Sequence, residues 1–123
     1  MNNPVIPRAQ GQTSICLIGA ALNATVDIYI VPAGVVFYLT GGFLVATVMA
    51  ASVLGNAFLN NNPGRPFLHI LARTSALIDT QVSCLPLCIS VALPFPAGTV
   101  FQVISDNANV YATGGITGWE EPI

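Results

Sequence analysis

Apolar runs of five to ten residues, broken by Gly, Pro and Asn, set the pattern of this chain. Runs of that length, rich in Val, Ile, Thr, Phe and Tyr and without a 3.6-residue period, predict short strands and no helix of any length. The spacing places strands at 15–21 and 24–30, joined near Asn23, then a turn at Pro32-Ala33-Gly34 into a strand at 35–40. Gly41-Gly42 reads as a hairpin turn into 43–51, and Asn60-Asn61-Asn62-Pro63-Gly64-Arg65-Pro66 as a protruding loop, because Asn and Gly accept left-handed φ while two prolines forbid regular pairing. Strands follow at 67–73 and 82–93, separated by 74–80, where Asp79 marks a turn. After them come 99–105, the turn Asp106-Asn107, 109–113, a turn at Gly114-Gly115, and 116–120. Eight or more strands so punctuated predict an all-β protein, a jelly-roll-like antiparallel β-sandwich.

One unit is used twice. Val31-Pro32-Ala33-Gly34-Val35-Val36-Phe37-Tyr38-Leu39 and Phe95-Pro96-Ala97-Gly98-Thr99-Val100-Phe101-Gln102-Val103 both turn on Pro-Ala-Gly and enter a strand. Phe37, Leu39, Phe101 and Val103 are thereby expected at equivalent inward positions. Residues 1–12, polar and punctuated by Pro4, Pro7 and Gly11, read as an extended arm, and 13–123 as a single domain.

Hydrophobicity changes the picture only after a membrane span is weighed. Residues 28–64 carry no charge, long enough to cross a bilayer. That window, however, holds Gly41-Gly42, Gly55 and Asn56, favours β-formers, and has no Lys/Arg cluster at either end. A second stretch, 82–101, contains Pro86, Pro94 and Pro96, which break helices. Residues 1–4, Met-Asn-Asn-Pro, lack the charged and apolar regions of a signal peptide, so synthesis in a cytoplasm without export is expected. Charged residues make up 7% of the chain, against about 25% in ordinary domains, and there is no lysine. So little charge predicts that part of the surface is covered by a partner or by copies of the chain. Three scattered arginines and a net charge of −2 offer nothing to a phosphate backbone, so no nucleic acid is expected.

Candidate chemistry is sparse. Cys16, Cys84 and Cys88 are odd in number and lack zinc spacing; burial is expected for them, and in a strand Cys84 and Cys88 stand too far apart for a disulfide. His69 is expected to share a face with Phe67 and Leu71 as a hydrogen-bonded structural histidine, with a pH-sensitive contact as the sharper reading. Glu120 and Glu121 are adjacent, so a strand points them to opposite faces; they form no dyad and are expected to keep that end wet. Asn23-Ala24-Thr25 matches a glycosylation acceptor but reads as a turn. No phosphate loop, nucleophile elbow or metal cluster is present, and neither catalysis, cofactor nor metal is expected.

The segments Pro32-Ala33-Gly34-x-x-Phe37-Tyr38-Leu39-Thr40-Gly41, Pro94-x-Pro96-Ala97-Gly98-Thr99 and Gly114-Gly115-Ile116-Thr117-Gly118-Trp119 resemble small jelly-roll proteins of tailed-phage virions, among them capsid cement (decoration) proteins and tail-fibre tips. Residues 106–119 also look like the last hairpin of C1q and tumour-necrosis-factor-like jelly rolls, although the aromatic-rich first strands of that family are missing here and none of its trimer-interface residues carry over. The first resemblance implies a virion structural protein on the capsid surface, cementing capsomer joints, with the major capsid protein and itself, as homodimer or homotrimer, for partners. Candidate interface residues are Asn2, Asn3, Pro4, Val5, Ile6, Pro7 and Arg8 in the arm, Asn60, Asn61, Asn62 and Arg65 in the loop, and Trp119, which fits either the core or an interface. The alternative is a tail-fibre or spike tip binding a glycan through residues 60–65 or through 106–109 beside Tyr111.

Overall fold

The computed structural model describes residues 13–62, 64, 66–73 and 81–123. Eight strands run in chain order: β1 (Thr13–Leu22), β2 (Thr25–Ile30), β3 (Val35–Val48), β4 (Leu54–Asn62), β5 (Pro66–Arg73), β6 (Gln81–Phe95), β7 (Val100–Ser105) and β8 (Val110–Pro122). They form two four-stranded sheets, β1-β8-β3-β6 and β2-β7-β4-β5, with every neighbouring pair antiparallel. Consecutive strands cross between sheets except β4 and β5, which pair directly, and the first described strand pairs with the last, which is the jelly-roll order of two interlocked Greek keys.

Both Pro-Ala-Gly segments are turns, with Gly34 at φ 78° and Gly98 at φ 89°. Thr99 N–H closes the second turn on Pro96 C=O at 3.2 Å, and the positive φ at its third residue calls for glycine. Val31 N–H donates to Thr99 C=O and Gly98 N–H to Val31 C=O, each at 2.9 Å, so the two turns lie side by side at one end. The strands they launch, β3 and β7, belong to opposite sheets. Phe37, Leu39, Phe101 and Val103 are accordingly all buried. Phe101 meets Phe37 at 5.3 Å and Phe95 at 5.0 Å between ring centroids, both edge to face, and Phe67 and Tyr29 at 6.1 Å.

Two expected hairpins are single strands. Gly41-Gly42 and Gly114-Gly115 lie inside β3 and β8, where Gly42 pairs with Ile116 and Phe43 with Gly115. None of the four has positive φ, and apolar residues continue on both sides, so nothing ends the strand. They serve close approach instead: a Cβ on Gly42 would stand 2.4 Å from Gly115 C=O, and one on Gly115 would stand 2.5 Å from Phe43 Cε1. The register also shifts between Leu39 and Gly41. Before the shift odd positions face inward (Phe37, Leu39), and after it even ones do (Leu44, Ala46, Val48), the mark of a bulge.

The expected loop over 60–66 is shorter too. Asn60, Asn61 and Asn62 finish β4, paired with Gln102, Phe101 and Val100, leaving 63–65 as the connection. Asn60 Nδ2 donates to Gln102 Oε1 across the ladder, so this side chain does not compete for the backbone pairing. The β4 segment before them, which the spacing left unassigned, hides behind small inward residues, Gly55 and Ala57.

Candidate functional site

The outer faces of the two sheets differ in kind. On β2-β7-β4-β5 the side chains bond to one another in rows across the strands. Gln102 Nε2 donates to Asp27 Oδ1 at 2.9 Å, and Asn60 Nδ2 donates to Gln102 Oε1 at 3.3 Å. Asn60 Oδ1 is buried with no hydrogen-bond partner among the described residues. A second row joins Asp106 to His69: Asn56 gives its backbone N–H to Asp106 Oδ1 (2.6 Å) and its Nδ2 to Asp106 Oδ2 (2.7 Å), while Asn56 Oδ1 lies 2.7 Å from His69 Nε2. With Asn56 nitrogen committed to the aspartate, its oxygen must accept, so His69 Nε2 carries the proton. The His69 ring stacks on Phe58 at 4.6 Å. Burial pulls the Asp106 carboxyl upward, but the Asn56 bonds, its own backbone N–H and the neighbouring His69 outweigh it and hold the carboxyl below the usual range.

The outer face of β1-β8-β3-β6 carries Thr40, Thr47, Thr113 and Thr117 but, among the described residues, no row joining carboxylate to amide. Register and alternation bring Cys16, Ile18 and Leu22 of β1, Tyr111 and Trp119 of β8, Tyr38, Phe43 and Val45 of β3, and Val82 and Cys84 of β6 to one surface. Glu121 is the charged side chain among its described residues, and it accepts Trp119 Nε1–H at 3.4 Å. Thr40 and Thr117 hydroxyls meet at 3.1 Å.

Several expected placements change. Cys16, Cys84 and Cys88 are free and exposed, not buried, because the alternation that turns Ile15, Leu85 and Leu87 away from this surface turns the thiols onto it. Trp119 is half-buried on the same face, stacked on Tyr38 at 5.5 Å, outside the core. His69 is hydrogen-bonded and shares its face with Leu71, but Phe67 turns inward where the register shifts opposite Leu59 and Asn60. Glu120 and Glu121 do point opposite ways; Glu120, however, is half-buried and accepts the Tyr29 hydroxyl at 2.5 Å, and burial, then that bond, push the phenol well above its ordinary pKa. Asn23, at φ 49°, makes the β1–β2 turn. In the Asp106–Asn109 turn, Asn107 Oδ1 accepts Asn109 N–H at 2.7 Å, and Tyr111 lies on the far sheet.

Asn2, Asn3, Pro4, Val5, Ile6, Pro7, Arg8 and Arg65 lie outside the described residues. Asn60, Asn61 and Asn62 stand at one end of β4, in the opposite sheet to Trp119, so the structure does not gather the candidate residues into one site. Asn61 instead joins Leu39, Pro66, Phe67, Leu87, Ile89, Leu93 and Phe95 around an apolar cleft of about 290 Å³ where the β5 and β6 edges face each other. Among the described residues no three metal-ligating side chains converge, and no helix is long and apolar enough to cross a membrane. What the spacing missed is the apolar outer face. Its signal was strands apolar on both parities, such as Ile15-Cys16-Leu17-Ile18.

No family model and no curated protein matches the chain. Solved structures similar to it include the virus-like particle of extra small virus of the giant freshwater prawn Macrobrachium rosenbergii, at 10% identity and TM-score 0.41 over 99% of this chain and 88% of that one. A protein of Bacillus endospore appendages, described as disulfide-linked pili, matches at 9% identity and TM-score 0.40 over 100% and 99%. The PRD1 vertex protein P5 matches at 15% identity and TM-score 0.33 over 85% and 71%. Likeness at this level passes no function to the chain.

Proposed function

We propose that this chain is a non-catalytic structural protein of a virion, a cement or decoration protein held on the capsid surface against the major capsid protein. One observation carries the reading: a jelly roll in which one outer face spends its polar groups on bonds to one another, while the opposite face, with Glu121 as the charged side chain among its described residues, leaves Ile18, Leu22, Val82 and Tyr111 exposed. A surface of that kind gains by being covered and has few free donors to offer a small substrate. The arm, residues 1–12, is proposed as the clamp on sequence grounds, with 60–66 as a further contact. Many weak copies then stabilise a shell by mass action and avidity.

The test adds full-length protein, or protein lacking residues 1–12, to capsids that lack it, and measures binding and heat resistance. Binding with protection by the full chain, lost on deletion of the arm, is expected. Equal protection by both moves the contact to the sandwich; glycan binding without shell binding replaces the reading with that of a receptor-binding tip.

A further inference from the structure

The outer face of β1-β8-β3-β6 leaves Ile18, Leu22, Val82 and Tyr111 exposed, where the opposite face exposes Ile30, Leu54 and Leu71 beside its hydrogen-bonded rows. On an antiparallel sheet that faces water, outward positions are polar. Here Ile18 is 65% exposed and Val82 62%, at opposite edges of the sheet, with Leu22 exposed beside Ile18 on β1 and Tyr111 on β8 between the edges. We propose that this face receives the same face of a second copy of the chain, packed sheet on sheet about a two-fold axis. The inference rests on the reading that the protein works assembled, and it names the first contact in that assembly.

Shape, area and charge each bear on the occupant. The middle of the face is kept low, because Gly115 has no side chain and the Phe43 ring lies over it. A level face suits sheet-on-sheet packing, in which two sheets lie ~10 Å apart. β1 and β8 share ten paired positions, so four strands ~4.8 Å apart and ~3.3 Å per residue span roughly 19 by 33 Å, some 600 Å² in projection. Side-chain relief brings this close to the ~800 Å² per partner of a standard interface. Apart from Glu121, the described residues of the face offer no charge for a charged partner to complement. Its side chains, Ile18, Leu22, Val82 and Tyr111 with Thr47, Thr113 and Thr117 among them, are uncharged from edge to edge, so the face can meet its own copy without opposing like charges, as an isologous contact requires. Pairing also leaves Asp27, His69, Arg73 and Asp106, all on the other sheet or its turn, on the two outer surfaces of the stack. That disposition places the scarce charge where water is.

Native mass spectrometry and sedimentation of the full-length chain at about 50 µM should give twice 12.8 kDa. Ile18→Glu and Val82→Lys, at exposed positions, should keep the far-ultraviolet circular dichroism of the parent and raise the dissociation constant about a hundredfold or more, since each puts two unpaired charges into the joint. Leu71→Glu, on the opposite face, should leave the dimer intact. In the unmodified protein, Cys16 and Cys84 should alkylate slowly when concentrated and quickly when dilute, a readout that needs no variant. A monomer at that concentration, thiols equally reactive at both, or dissociation by Leu71→Glu as readily as by Ile18→Glu overturns the pairing. So does a face protected only by lipid vesicles. A monomer that still stabilises shells ends the pairing and spares the shell reading; a dimer that binds no shell does the reverse.

Discussion

Phe101 is the side chain on which the two layers meet, with Phe37, Phe95, Phe67 and Tyr29 arranged around it. Phe101→Ala should cost ~3–5 kcal/mol, from lost transfer energy and an unfilled cavity, measured as a shift of the urea midpoint. That position was legible beforehand, because an aromatic two residues into a strand after Pro-Ala-Gly has one sensible direction to point. The Asp106-Asn56-His69 row was not, since it depends on which strands become neighbours. It has a pH signature. The folded-state pKa of Asp106 is depressed, so its contribution is present above the unfolded value near 4 and is lost as pH falls through the folded one. Asp106→Asn should therefore melt below the parent at neutral pH and converge with it in acid, by thermal denaturation from pH 7 to pH 2.

At the scale of elements, β3 and β8 are the strands that spacing broke at glycine pairs, and β3 is the one whose bulge matters most. Glycine pairs are turn signals in a sequence, yet they are equally what two adjacent strands need when one backbone crowds another, and only the partner strand decides between the two. The Gly41 bulge changes which parity faces the core. Deleting Gly41 should turn Leu44, Ala46 and Val48 outward and abolish the cooperative thermal transition and the near-ultraviolet signal of the aromatic cluster. A deletion that melts within a few degrees of the parent would show that the neighbouring Thr40 absorbs the slip. Turns with positive φ, at Gly34 and Gly98, were readable because no long-range partner is needed to explain them.

Over the whole molecule, what could be read was the class: an all-β chain with too little charge for its size. What could not be read was the division of that scarcity, with hydrogen-bonded rows collected on one sheet and an apolar surface on the other, because a face exists only once strands distant in sequence are laid side by side. Such pairings are non-local, and refolding from urea should take milliseconds to seconds or longer, without the microsecond phase of a helical bundle, as stopped-flow fluorescence of Trp119 can measure.

The pairing of β1 with β8 also has a clock attached. Thr13 is synthesised roughly a hundred residues before its partner Glu120, which at ~5–20 residues per second is an interval of about 5–20 s. Throughout that time Ile15, Leu17 and Ile18 have no sheet to join. The nascent chain is then a bare β edge waiting for its own far end, and crowded polysomes offer it the same edge from its siblings. How quickly codons near the end of the message are read becomes part of how much protein folds.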